Sequence, residues 1–330
     1  MNTELLPRTL LESVTFFADE GRAHDFLAGM RWSGNVNCPH CESANVGTLS
    51  VSTRTNAKGK TLTRRVWNCK ACKKQFTVKV GTIFEDSPLS LSKWLPAIWM
   101  ICNAKNGVSS YEIHRALGIT QKSAWFMLHR IREAMRNGLG MFTGVVEADE
   151  TYIGGRGINM HKSKKVGMVH GSSAAHLTPV AGVLERGTDD KPSQVRARTL
   201  PHVKRTALIP NIASQVTPGS TVYTDAHRSY ARLAPTYVHG VIDHAVAYVD
   251  GQIHTNSLEN FWSLLKRTLG GTYVSVAPFH LDKYLDEQVT RFNERKENDA
   301  SRFASTMGRV TGRRLTYKRL TGKTGGDSEV

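Results

Sequence analysis

Four cysteines and three acids carry the chemistry legible in this 330-residue sequence. Cys38-Pro-His-Cys41 and Cys69-Lys-Ala-Cys72 are two C-x-x-C pairs separated by 27 residues. Each pair sets two thiolates on a tight turn, and two such pairs complete one tetrahedral Zn²⁺ site. The alternative, a pair of redox dithiols, is disfavoured by the doubled motif, and His40 is not needed because four thiolates already fill the shell. The acids are Asp149, Asp225 and Glu259. Asp149 stands in VVEADETYI, where β-branched and aromatic residues predict a strand ending at Gly154-Gly155. Asp225 closes the short strand STVYTD, and a helix over 226–233 is expected to follow. Glu259 lies in HTNSLENFWSLLKR, a predicted helix in which Asn256 and Glu259 have capping-box spacing. Lys266 stands about two turns beyond Glu259 on the same face. Each acid alone has an ordinary reading: a polar strand residue, an N-cap, a capping-box partner. A carboxylate on a docked helix below an ammonium group also suits metal and phosphate chemistry, and the succession of strand, strand tip and helix start favours a shared site.

Those residues need elements to position them. Residues 1–35 carry apolar residues at near-helical spacing and read as one or two short helices. Residues 36–80 read as a zinc ribbon whose hairpin, 49–67, turns near Asn56-Ala57-Lys58-Gly59. Residues 88–138 turn helical, with helices over 91–105, 109–117 and 120–135 and a turn at Gly118-Ile119. The last two make a helix-turn-helix-like pattern in which Gln121, Lys122, Ser123, Arg130 and Arg132 are expected free to meet DNA. A connector without DNA contact is the alternative. Asn137-Gly138-Leu139-Gly140 is the best boundary. Residues 143–298 alternate strands (178–185, 193–200) with helices (204–216, 278–295), as a mixed-sheet α/β core requires. Residues 299–330 form a basic tail with a disordered end from Gly325.

Charge names the partner class. The chain has 44 basic and 28 acidic residues, a formal net charge of +16, which predicts a polyanion, nucleic acid first and anionic membrane second. Between Arg54 and Lys74 there are eight basic residues and no acid, so Arg54, Lys58, Lys60, Arg64 and Arg65 are candidate phosphate contacts. A second acid-free stretch offers Arg156, Lys164 and Lys165 on a loop after the Asp149 strand. No apolar run approaches the roughly 18 residues of a membrane span, and MNTELLPRTLLES lacks the form of a secretory signal. A cytoplasmic, nucleoid-associated protein without a membrane partner is expected. Cys102, the fifth cysteine, falls in an apolar helix as a small core residue. Of the scattered histidines, His254 alone is kept as a possible partner of the site or of DNA.

The stretches ADETYIGG, VYTDAHRSY, HTNSLENFWSLLKR and HLDKYLDEQVTRFNER resemble the DDE transposases of bacterial insertion sequences, in the IS1595 (ISXO2-like) group, and the likeness covers nearly the whole chain. The resemblance implies an RNase H-like catalytic core. It implies that Asp149, Asp225 and Glu259 hold two Mg²⁺ (or Mn²⁺) ions per active site, with Asp149 bridging. Lys266, and more weakly Asn256, would then meet the scissile phosphate. The implied activity is binding of transposon ends, metal-dependent strand cleavage and transfer into target DNA, by a homo-oligomer assembled on DNA. Two alternatives stay open: an RNase H-like nuclease without strand transfer, and a non-catalytic zinc-ribbon and helix-turn-helix regulator.

Overall fold

The computed structural model describes residues 6–55, 61–136, 138, 140–155, 177–242 and 252–322. The chain divides into two compact units, one of Met1–Ala104, Val108–Met135 and Glu297–Val330 and the other of Lys105–Gly107 and Arg136–Lys296.

In the first unit, α1 (Leu10–Phe17) and α2 (Glu20–Trp32) begin at Thr9 and Asp19, whose side chains accept the Glu12 and Arg22 N–H groups. Strands β1 (Ser50–Thr55) and β2 (Thr61–Asn68) pair antiparallel, and β3 (Gln75–Phe76) adds to β2. The expected hairpin therefore forms, although its turn, 56–60, lies outside the described residues. Trp67 is the hub that fixes the ribbon to α2. His24 stacks on its ring at 5.2 Å, Trp32 meets it edge-on at 5.1 Å and Phe76 stacks at 5.9 Å.

Helix α3 (Leu91–Asn103) is apolar on nearly every side because neighbours surround it. Trp94, Leu95, Ile98, Trp99 and Ile101 are all buried, each contributing about 1.5–3 kcal/mol relative to exposure. Helix α4 (Ser110–Leu117) starts with a full capping box of Ser109 and Glu112 and stops at Gly118, whose φ of 58° suits glycine. Helix α5 (Gln121–Met135) follows. Residues 297–322 do not trail away. Helix Asp299–Met307 buries Phe303, Cys102 donates to Thr306 across the core, and Arg309 and Arg313 donate to the carbonyls of Ala134 and Glu133 at the end of α5.

The second unit is a five-stranded mixed sheet with helices on both faces. Its order is β6 (Gln194–Thr199), β5 (Thr178–Glu185), β4 (Val145–Ile153), β7 (Thr221–Asp225), β8 (Val238–Ile242). Strands β4, β5 and β6 pair antiparallel, whereas β4, β7 and β8 run parallel. Alternation along β4 sends Val146 and Ala148 to one face, with Ile212 of α6 (Arg205–Ala213), Tyr230 and Leu233. The odd positions meet the other face, where Val180 and Leu184 pack with Phe261, Trp262 and Leu265 of α7 (Asn256–Thr268) and with Leu285 of α8 (Leu281–Asn293).

Two local expectations are corrected here. The helix over 226–233 is only a 3-10 turn, Arg228–Tyr230. Asp225 Oδ1 accepts the His227 N–H at 3.1 Å, a local bond that competes with helix initiation. The Asn256/Glu259 capping box does not form either, since Thr255 is the N-cap and its hydroxyl reaches Glu259 Oε1 at 3.3 Å. A residue distant in sequence does the capping: buried Glu147, on β4, accepts the Leu258 N–H at 3.0 Å.

Candidate active site

Asp149 and Asp225 lie on neighbouring parallel strands, each two residues beyond the last pair of the ladder. The offset that pairs Val145 with Thr221 and Glu147 with Tyr223 carries Asp149 to Asp225, both on the face that α7 covers. Helix α7 runs alongside β4 and is fastened to it at successive points. Leu258 meets Glu147, and four residues later the Trp262 indole N–H donates to Asp149 Oδ2 at 2.9 Å. Gly182, opposite Asp149 on β5, makes room for that indole; a Cβ there would lie 2.6 Å from the ring. Glu259, exposed, sits on the turn before Trp262, and Lys266, also exposed, on the turn after it.

Electrostatics single out Asp149. Desolvation pushes its carboxyl up to about 7, the charges of Glu150 and Asp225 add repulsion, and hydrogen bonds from the Glu150 N–H and then Trp262 only partly offset them. Glu150, on the opposite face of β4, is likewise raised to about 7, chiefly by burial; it accepts the Tyr230 hydroxyl and lies 3.7 Å from His227 Nδ1. Ionised carboxylates so placed are costly unless a cation or a proton compensates. The hard oxygen donors of Asp149 and Asp225 suit Mg²⁺ or Mn²⁺. Among the described residues, however, the metal-ligating groups that converge within 4.8 Å are the four cysteines and not this acidic trio.

The cysteine quartet fits zinc. Cys38 to Cys72 and Cys41 to Cys69 are each 3.7 Å sulfur to sulfur. Sulfurs about 2.3 Å from a central Zn²⁺ would be about 3.8 Å apart, whereas a disulfide needs about 2.05 Å. The His40 and Cys72 N–H groups point at the Cys38 and Cys69 sulfurs, and the Cys72 amide leads in holding the Cys69 thiol down to about 7.

Other expectations fare differently. Arg130 and Arg132 are buried, 3% and 1% exposed, and so are not free for DNA. Arg130 lies over the rings of Trp94 on α3 and Phe126 and donates to the Glu85 carbonyl. Gln121 donates to Ser110 Oγ at 2.8 Å, and Lys122 stands 5.1 Å over the Tyr317 ring. Arg54 is exposed on β1, Arg64 donates to Gln75, and Arg65 reaches the Gly21 carbonyl. Lys58, Lys60, Arg156, Lys164 and Lys165 lie outside the described residues, as do 325–330. His254 serves the fold: Nδ1 accepts from Arg186, whose guanidinium also binds Glu147 and the Gln252 and His254 carbonyls. Sequence reasoning missed Glu147, Glu150, Arg186 and Tyr230. Glu150 had one visible signal, its place beside Asp149; the others depend on contacts spanning 39 to 111 residues.

Comparison with known proteins follows the same division. Residues 141–293 match the family model of the ISXO2-like transposase domain, and residues 18–75 that of the transposase zinc-ribbon domain. The second match takes in α2, as the packing around Trp67 would suggest. The chain is 27% identical over 265 residues, 77% of its own length and 84% of the relative's, to an uncharacterized protein in transposable element ISH50 of Halobacterium salinarum. It is 35% identical over 95 residues, 28% of its length and 76% of the relative's, to an uncharacterized transposase-like protein of Haemophilus influenzae. Among solved structures, a simian T-cell lymphotropic virus intasome in complex with PP2A regulatory subunit B56 gamma aligns with 55% of this chain and 60% of that one, at 15% identity and a TM-score of 0.24, too low to carry a fold assignment.

Proposed function

This chain belongs to the ISXO2-like transposase family, and on that footing we propose that it binds the ends of an insertion sequence, cleaves DNA there and transfers the strand into target DNA. The observation that carries the proposal is the parallel register of β4 and β7, which continued two residues past Glu147 and Tyr223 would set Asp149 level with Asp225, together with the burial that raises the Asp149 carboxyl. A sheet with three antiparallel strands followed by two parallel ones supports an RNase H-like reading of residues 143–298. We assign 36–80 as the ribbon, 88–138 as a helix-turn-helix-like module and 299–330 as a basic C-terminal extension. One Zn²⁺ on Cys38, Cys41, Cys69 and Cys72 would hold the ribbon together.

In the second unit, Asp149, Asp225 and Glu259 would hold the divalent ions. Two such ions supply Lewis acidity at the attacking and leaving oxygens of a phosphodiester. Trp262 fixes the Asp149 carboxylate by donating to Oδ2. Glu147 and Arg186 anchor the start of α7 so that Glu259 is presented from a fixed turn. Lys266 offers an ammonium group to the phosphate, and Asn256 an amide. Water attacks first, freeing a 3′-hydroxyl at the transposon end, and that hydroxyl then attacks target DNA. Purified protein should nick an oligonucleotide bearing the terminal inverted repeat in Mg²⁺ or Mn²⁺ and not in EDTA. Metal-dependent nicking without any joined donor-target product would leave a nuclease, and end binding without nicking a regulator.

A further inference from the structure

A cavity of about 300 Å³ opens beyond the end of β4, beside Lys266. Building on the reading of this unit as a DNA-cutting site, we propose that the cavity receives one nucleotide turned out of the duplex next to the cleaved phosphate, and that Val274 is the wedge that displaces it.

Position is the first argument. Lys266 follows Trp262, the partner of Asp149, by one helical turn, about 6 Å along the axis. At about 3.4 Å per nucleotide along a strand, that places the cavity one or two steps from the acids. Chemistry is the second. Ile153, Leu269 and Val276 give apolar walls for a base face, while the Lys266 ammonium and Ser275 hydroxyl offer donors to a phosphate or a base edge. No acid lines it. The volume lies at the lower end of the range for small-ligand sites, consistent with one nucleotide and not a longer segment.

Val274 is the third argument. It is 80% exposed, and its φ of 60° and ψ of −54° are unusual for a β-branched residue. Such a conformation is strained and persists only where neighbours enforce it. The preceding π-helix, Leu269–Tyr273, supplies the constraint: Thr272 donates to the Asn106 carbonyl, and Tyr273 donates to Glu287 and packs on Tyr284. A strained turn that holds an apolar side chain in solvent at the rim of a cavity suits insertion between base pairs, with the displaced base entering alongside.

The test uses full-length protein and a duplex bearing the terminal repeat, with 2-aminopurine placed in turn at each position around the nick. Binding should raise fluorescence several-fold at one position. Gly270→Phe should abolish that rise by filling the cavity, since a Cβ at Gly270 meets no atom within 4 Å; end affinity should stay within about threefold. Nicking by this variant should fall with the fluorescence rise, and an abasic site at the reporting position should restore it. Val274→Gly, which removes the wedge and relieves the backbone, should fold normally and reduce the rise. End binding and nicking with no fluorescence rise at any position would overturn the proposal and leave the transposase reading intact, as would an unchanged rise in a folded Gly270→Phe protein. Failure to nick any substrate in metal would refute the reading on which it rests.

Discussion

Ionising Asp149 in the folded protein is costly because a packed indole and two further acids surround it. Its carboxyl is raised from 3.8 to about 7, so the folded state holds the proton more tightly than the unfolded chain does. The sign follows: metal-free stability from this group is present below about pH 4, falls as the pH rises from there to about 7, and is level above. Asp149→Asn should therefore raise the metal-free Tm by several degrees at pH 8 and leave it nearly unchanged at pH 3.5, as read by calorimetry; equal shifts at both pH values would refute the assignment. Mg²⁺ should then raise the wild-type Tm at pH 8 and not that of the variant. Trp262→Phe removes the donor to Oδ2 and keeps most of the packing, so Mn²⁺ affinity should drop about 10-fold without unfolding. Unchanged affinity in titration calorimetry would show that the indole only packs.

At the scale of elements, the sites depend on close approach between segments far apart in sequence. Gly182→Ala would bring a methyl group to 2.6 Å from the Trp262 ring, and overpacking of this kind costs about 1–3 kcal/mol. Urea denaturation should show that loss, and α7 should withdraw from Asp149. In the ribbon, Cys69→Ser should release zinc, leaving less than one equivalent per chain by elemental analysis, and loosen 36–76 while the second unit stays folded. Retention of stoichiometric zinc would contradict the four-sulfur site. Much at this scale was legible: strand 178–185 and the helices of 91–135 follow from alternation, capping and glycine signals. The illegible parts are those decided by distant partners. Asn256 has the pattern of a cap, yet Thr255 holds the position and Glu147 supplies the acceptor. Arg130 and Arg132 have charges suited to DNA, yet α5 is buried at every position from Met127 to Arg132.

For the whole molecule, the charge of +16 predicts DNA affinity that falls about 10³-fold or more between 50 and 200 mM salt, through release of counterions. A flat salt dependence would contradict broad phosphate contact. Charge patterning finds the partner class but not which basic residues are free. Lys122 lies on Tyr317, and Arg309, Arg313 and Arg314 are spent within the first unit. The three acids were legible as candidates because Asp149 is the central acid of a β-branched strand, Asp225 ends a strand and Glu259 stands in the first turn of a helix. The placement of Asp149 relative to Asp225 came from strand register, which no local signal encodes. The most direct test of the account is strand transfer by Asp149→Asn, Asp225→Asn and Glu259→Gln, with end binding followed in parallel. Each amide keeps size and shape but removes the charge that holds a divalent ion. The account predicts loss of joined donor-target product by at least 100-fold in all three, with end affinity nearly unchanged; near-normal joining by any one folded variant would remove that residue from the metal site and contradict the account.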